Sequence, residues 1–537
     1  MWRWIMAEYK TQCINGTLYA YIDTPFWNAE KKRGEHKRNY IGKIVDGNLV
    51  PNKKYLLQQQ LAEQQTAVRP GPVPATECRR LFYGATYLFD QICEQIGISA
   101  DLNACFGDAG DQIRAIAYYL VLEEGQPMYR FQKWSHTHWQ PCRKELSSQR
   151  ISEVFRDVSE EQKLDYFRRQ AKRRSENEYL AFDTTSISSC SELIRQAKYG
   201  KNKEGDDLPQ VNLAMLCGES SMLPVYYRKL SGNIPDVRTI ENLLKDIDFL
   251  EIEKLNLVMD RGFYSEKNIN DLMKHHHKFL IGVRTSLKLV SSHLNEDRDG
   301  FVTRSNYNSS LHLYVKSYTE SWDYSEYRPR KGETTTDKRR VYIHIYFNDQ
   351  HCTDDRDRFN HLLDRCEEEL RMDKRNPDHE SMYRKYFVIH ETPVRGRKIT
   401  YNEEAIHKAE KDYGYFALMS NGIRDPVEAL KIYRMRDLIE KSFGNLKDRL
   451  SMRRMSVSSE ENFEGKLFVQ FVALEITSYI KKHMEDNDLY RNYTMQSLLD
   501  EIDTIEYYQQ PGKAHHLSEI TEKQRGLYGY MGVAVPT

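Results

Sequence analysis

The sequence predicts an α/β fold: a mixed-sheet core interrupted by a long insertion, with a β and helical region before it and a helical tail after it. Three observations predict it. YLAFDTTSIS from Tyr179 is apolar on both faces ahead of Asp183, as a central strand should be. QVNLAMLCG and LPVYYRKL follow as two more strands across a Gly-Glu-Ser-Ser turn, which suggests an antiparallel pair. A helix with Val237, Ile240, Leu243, Leu244 and Ile247 at helical spacing, opened by Asp236 as its cap, then leads into KLNLVMDRGFY, a strand that ends on Asp260 and turns at Gly262.

Strand, strand, strand, helix, strand resembles the order of the ribonuclease H-like fold. There the first and fourth strands are parallel neighbours, which would bring Asp183 and Asp260 together near the carboxyl ends, where sites lie in open α/β sheets. Two carboxylates forced close repel unless cations lie between them, so the pair makes sense mainly as a metal site. A helix over Ser265 to His276 and the strand KFLIGVR complete the sheet in this reading, with His275 to His277 ending the helix.

Residues 1–75 hold strand-like pieces, Thr17 to Ile22 and Tyr40 to Val45, split by the basic KKRGEHKR, and read as a small β-containing module. From 76 to 177 the pattern is helical, a DNA-end-binding domain by expectation. Leu146 to Phe155 with Glu160 to Ala171 fits either a helix-turn-helix pair or a plain bundle. Trp134, His136, His138 and Trp139 cluster, and a metal site is not expected there. The core runs from 178 to 284 and resumes over 413–485, and 285–412 reads as a β-rich inserted subdomain, because about 180 residues between Asp260 and Glu440 exceed any single loop. Trp322 is the only tryptophan in that segment. Residues 486–537 read as a peripheral tail.

The chemistry concentrates in YRMRDLIEKSFGNLK. At about 100° per residue, Tyr433, Arg436, Glu440 and Lys447 fall at roughly 0°, 300°, 340° and 320°, one narrow stripe. Ile432, Met435, Leu438, Ile439, Phe443, Leu446 and Leu450 form an apolar arc beside it, and Arg434, Asp437, Lys441 and Asp448 project from the far side. A carboxylate flanked by three donors on the lip of a core suits a metal-bound phosphodiester. Asp425 as cap, Pro426 in the first turn and Glu428 start this helix about two turns before Tyr433.

Tyr, two residues, Arg, three, Glu, six, Lys resembles the signature of one branch of the insertion-sequence DDE transposases at every position. The resemblance implies that Asp183, Asp260 and Glu440 bind two Mg²⁺ or Mn²⁺ ions about 3.5 to 4 Å apart. It implies that Tyr433, Arg436 and Lys447 grip phosphates near the cleaved end, and, on location alone, that Trp322 stacks on a flipped base. It further implies double-stranded DNA as partner, both element terminal inverted repeats and target, with cleavage and strand transfer inside a homodimeric synaptic complex in a prokaryotic cytoplasm. A metal-dependent nuclease that cuts without joining, or a DNA-binding regulatory derivative, would carry parts of the same pattern.

Composition narrows the partners. The 537 residues suggest three to four domains, and a net charge of +0 leaves nucleic-acid attraction to local clusters. Four are visible: Lys31 to Lys43, Arg168 to Arg174, Arg328 to Arg340, and Lys431 to Arg454, the last with eight Lys or Arg against three Asp or Glu. Nine cysteines with no C-x-x-C pair and no matching His spacing argue against zinc and for reduced thiols in a cytosolic compartment. MWRWIMAEY is too short and polar for a signal peptide, and Leu467 to Ile480, broken by Gln470 and Glu475, falls short of a span, so a membrane role is not expected.

Overall fold

The computed structural model describes residues 9–28, 33–45, 47–56, 78–142, 145–174, 178–189, 191, 193–200, 207–252, 254–328, 332–392, 396–450, 452, 457, 459–510 and 514–537. The chain divides into two compact units, Met1–Arg79 with Gln510–Ala514, and Arg80–Gln509 with His515–Thr537. In the first, Lys10–Ile14, Thr17–Asn28, Arg33–Val45 and Asn48–Pro51 form a four-stranded antiparallel meander. Its first hairpin turns on Asn15 and Gly16, both at positive φ (52° and 77°), the pairing that matches strand twist. Lys31 and Lys32 of the first basic cluster lie outside the described residues.

The second unit is built on a nine-stranded sheet. In chain order its strands are β1 Leu180–Ser188, β2 Gln210–Gly218, β3 Pro224–Ser231, β4 Asn256–Met259, β5 Lys278–Val283, β6 Tyr307–Asn308, β7 Leu313–Arg328, β8 Glu333–Phe347 and β9 Tyr415–Ser420. Across the sheet they run β6-β7-β8-β9-β5-β4-β1-β2-β3. β1 to β3 form an antiparallel meander, and β4 lies parallel to β1 with Phe182 opposite Met259. β5 is parallel to β4. The sheet does not end there, as the sequence reading has it: β9 pairs antiparallel with β5, and the long β7–β8 hairpin adds to β9. The reason lies in the root of the hairpin, where Val341, Ile343 and Ile345 alternate into the core, so the sheet gains apolar cover by extending.

The 285–412 segment is therefore as helical as it is β. Beyond the hairpin, helices Asp349–Arg371, Glu380–Tyr386 and Glu403–Glu410 and the hairpin Phe387–Thr392/Gly396–Tyr401 enclose a separate core of Phe359, Leu363, Cys366, Leu370, Tyr383, Tyr386, Phe387 and Ile406.

Helices Gly84–Gln95, Ile98–Phe106, Asp108–Leu122, Ser148–Asp157 and Glu160–Arg174 pack with the long helix Glu460–Asp486, which Ser459 caps by accepting from the Asn462 N–H. Of the two readings the pair 148–174 left open, the bonds support the bundle. Lys163, Tyr166 and Gln170 of the second helix are buried. Its basic cluster is paired: Arg168 and Arg169 with Asp165, Lys172 with Glu251, Arg173 with Asp101 and Arg174 with Glu475. His138, isolated in sequence, stacks on Trp134 and meets Asp503 at 3.2 Å, an acid brought from far along the chain.

Gly465 lets the long helix approach the end of Ser148–Asp157, since a Cβ there would stand 1.9 Å from the Phe155 carbonyl oxygen. Gly465→Ala is expected to lower stability by about 1–3 kcal/mol, read as a fall in the urea midpoint with helix content retained.

The C-terminal segment is not peripheral. Leu498, Leu499, Ile502, Leu527 and Tyr528 are buried, and the Tyr528 hydroxyl donates to the Gly84 carbonyl. Spacing signals in residues 486–537 were weak because its two helices, Met495–Asp503 and Glu522–Tyr530, are short. Among the described residues, no helix is long and apolar enough to cross a membrane.

Candidate active site

The register of β1 and β4 sets Asp183 and Asp260 side by side. Phe182 opposes Met259 in a parallel pair; Asp183 is the next residue of β1, and Asp260 is the first residue past β4. Asp183 accepts from the Thr184 N–H at 2.7 Å. Asp260 leaves β4 with extended backbone (φ −74°, ψ 163°) and opens the short turn Arg261–Phe263. Asp236, expected to cap its helix, instead accepts from the Thr184 hydroxyl beside Asp183, and Pro235 holds the cap position without a side-chain bond. The helix 236–249 is thereby tied to the strand that carries the first acid.

The signature stretch is helical but not one regular helix. It runs Pro426–Arg434, tightens through Met435 and Arg436 with bonds three residues apart, resumes over Asp437–Gly444 and widens to a π-turn at Asn445–Arg449. Asp425 caps its start by accepting from the Val427 and Glu428 N–H groups, as expected. Ile439, Phe443, Leu446 and Leu450 are buried, and Arg434, Asp437, Lys441 and Asp448 are exposed.

Two of the four stripe residues bond Asp260, and a third is joined to them through Arg436. The Tyr433 hydroxyl donates to Asp260 Oδ1 at 3.1 Å, and Arg436 Nη1 meets the same oxygen at 2.7 Å. The other arm of Arg436 donates to Glu440 Oε1 at 3.0 Å. One guanidinium thus spans the second and third acids. Burial works against that charge, but Tyr433, Asp260, Glu440 and Asp183, in that order, raise the Arg436 pKa above its ordinary value, which brings the first acid into the same field. Arg436 is 17 % exposed, against 40 % for Asp260 and 56 % for Glu440, so the acids face solvent over a sunken cation. Burial and Asp260 push the Tyr433 phenol far upward, so it stays a donor.

The three carboxylates do not close on one another: among the described residues, the one set of three potential ligands within 4.8 Å is Cys366, Glu369 and His379. Arg436 lies where the sequence reading put cations. Lys447 falls in the π-turn Asn445–Arg449, where the constant rotation per residue that placed it on the stripe no longer applies. Trp322, expected to stack on a base, is 7 % exposed and donates to Asn270 Oδ1 at 2.8 Å, so the ring packs the core between β7 and the helix Glu266–Lys274. Of the triple histidine, His276 takes a left-handed turn (φ 58°), and burial lowers His277 to about 4, where it accepts from the Leu255 N–H as a neutral ring.

Several site residues escaped the sequence reading. A cleft of about 780 Å³ opens beside Asp260, and Arg261, Arg284, Arg358, Arg434 and Arg436 line it with Tyr433. Arg261, Arg284 and Arg358 come from separate segments, so no run of charge marks them, whereas Arg434 and Arg436 fall in the basic stretch from Lys431. Gly282 of β5 did carry a signal, a glycine inside an apolar strand. A Cβ there would stand 2.6 Å from the Tyr433 hydroxyl, so the glycine gives the phenol its path to Asp260.

Residues 174–476 match the family model described as the transposase DDE domain, and the chain belongs to that family: it is a DDE transposase. None of the curated proteins matches it. A solved structure, the cryo-EM synaptic complex of piggyBac transposase with hairpin DNA, is similar over 78 % of this chain and 78 % of its own at 10 % identity, with a TM-score of 0.34.

Proposed function

We propose that this transposase has a ribonuclease H-like core, belongs to the Tyr-Arg-Glu-Lys branch, and uses Asp183, Asp260 and Glu440 to cleave element ends and join them to target DNA. The observation that carries the reading is Arg436, bonded to Asp260 and Glu440 at once with Asp183 in its field. Three carboxylates form an all-oxygen donor set, which suits Mg²⁺ or Mn²⁺ better than softer metals. Bound ions there would activate the attacking hydroxyl and stabilise the leaving oxygen.

The chain's own residues do the rest. Arg436 neutralises Asp260 and Glu440; were the acids to hold cations instead, its guanidinium would be available to donate to a phosphate oxygen. Tyr433 stays protonated and orients Asp260. Arg261, Arg284, Arg358 and Arg434 give the cleft wall a cationic lining for duplex DNA, and Lys447 supplies a further phosphate contact. Element ends and target meet in a homodimer in this reading.

The test uses a precut duplex carrying the inverted repeats that flank the gene, a target plasmid and Mg²⁺. Joined product supports the proposal, cleavage alone reduces the protein to a nuclease, and binding alone to a regulatory derivative. Tyr433→Phe removes one hydrogen bond to Asp260 and should slow cleavage about tenfold, with end affinity in a gel shift unchanged.

A further inference from the structure

We propose that Cys366, Glu369 and His379 form a second metal site, distinct from the three acids, that takes a zinc-class cation in the outer core of residues 349–410. One ligand atom from each lies within 4.8 Å of the other two. Cys366 and Glu369 stand three residues apart on helix Asp349–Arg371, hence on one face. His379 ends the turn Pro377–His379, which Asn376 caps by accepting from the Asp378 N–H. The imidazole Nδ1 stands 2.8 Å from Glu369 Oε2, so two of the three groups already meet.

The donor chemistry selects the ion. A thiolate, an imidazole and a carboxylate make the mixed sulfur, nitrogen and oxygen set that suits Zn²⁺, whereas Mg²⁺ avoids sulfur. The all-oxygen acids of the catalytic face have the opposite preference, so the two sites are separable by metal.

The surroundings fit a built site. Cys366 is fully buried, and Glu369 and His379 are 19 % and 15 % exposed, so an ion entering from the His379 side would be held against the small core. The Tyr383 hydroxyl donates to Glu369 Oε2, the oxygen that His379 meets, and accepts from the Asn376 N–H, which holds the carboxylate in place while its other oxygen is left for an ion. A bound ion would staple helix 349–371 to the turn and to helix Glu380–Tyr386, in a core that has few apolar residues of its own. The spacing, Cys-x2-Glu-x9-His, matches none of the Cys and His patterns by which zinc sites are read from sequence, which is why zinc was argued against at that level.

The test uses full-length protein stripped with chelator and titrated with Co²⁺, in excess Mg²⁺ to occupy the oxygen-only acids. The expected result is a thiolate-to-cobalt charge-transfer absorption saturating at one ion per chain, displaced by Zn²⁺ and not by Mg²⁺. Cys366→Ser should abolish the band, and His379→Ala should weaken Co²⁺ binding more than about tenfold; Tyr383→Phe, behind the carboxylate, should weaken it about 10- to 100-fold. Because His379 sits on a surface turn, its variant keeps the test decisive should Cys366→Ser misfold. A folded wild-type chain with no band, leaving Glu369 and His379 as a hydrogen-bonded pair only, overturns the proposal. So does a band that survives both Cys366→Ser and His379→Ala.

Discussion

Asp260→Asn should eliminate strand cleavage, by about 10³-fold or more, while the chain still shifts a duplex carrying its element end. The amide keeps the size of the side chain and can still accept from Tyr433, so the fold around β4 has no reason to change. What disappears is negative charge at the point where Tyr433 and Arg436 converge. In the proposed set of three acids, Asp183→Asn and Glu440→Gln should behave alike, because each removes one anionic oxygen pair. The effect is on chemistry and not on affinity, since the arginine wall of the cleft is untouched. Retained cleavage in any one variant removes that residue from the catalytic set, and lost end binding points to a structural role instead.

What the sequence disclosed about this site is what local geometry controls. Tyr433, Arg436 and Glu440 could be placed on one stripe because fewer than three helical turns separate them, and the tightening at Met435 does not disturb that. Lys447 lies across the π-turn Asn445–Arg449, where the constant rotation per residue fails, and periodicity has no means of registering it. Asp183 and Asp260 were proposed because each follows an apolar run; the parallel pairing of β1 with β4 follows from the crossover through helix 236–249, with Asp183 lying within β1 and Asp260 just past β4.

The remainder depended on long-range pairing. β8 and β9 each carry an apolar run, but nothing local says that Tyr415–Ser420 inserts between β8 and β5, so the sheet was ended early. Asp236 was read as a cap because Asp commonly is one; its bond to Thr184 depends on two segments that meet only in the fold. The cationic lining beside Asp260 combines Arg261, Arg284, Arg358 and Arg434, and a charge count along the chain cannot see it. The basic run Arg168 to Arg174 is the reverse case, a charge run visible in sequence whose members pair with Asp101, Asp165, Glu251 and Glu475.

Glu475 is the residue whose loss should cost the fold most. It lies fully buried in the long helix, where Tyr166 donates to Oε2 at 2.5 Å and Arg174 Nη1 stands 3.2 Å from Oε1. Glu475→Ala strands the Arg174 charge and the Tyr166 hydroxyl in the core, a change expected to cost about 3–5 kcal/mol, read in urea or thermal unfolding. Tyr166→Phe, which leaves the ion pair, should cost only about 1–2 kcal/mol. Burial, opposed by Arg174, pushes the Glu475 carboxyl from 4.5 up to about 7. The folded state then holds a proton that the unfolded chain releases, so this group's contribution is complete below about pH 4.5 and is lost as pH rises through 7. Measured against Glu475→Gln, which cannot titrate, wild-type stability should therefore fall by about 3 kcal/mol between pH 4.5 and pH 8, and the loss should level off above that. A difference that stays flat with pH would mean that Arg174 keeps the carboxylate ionised throughout, and that the pair is a buried salt bridge at every pH tested.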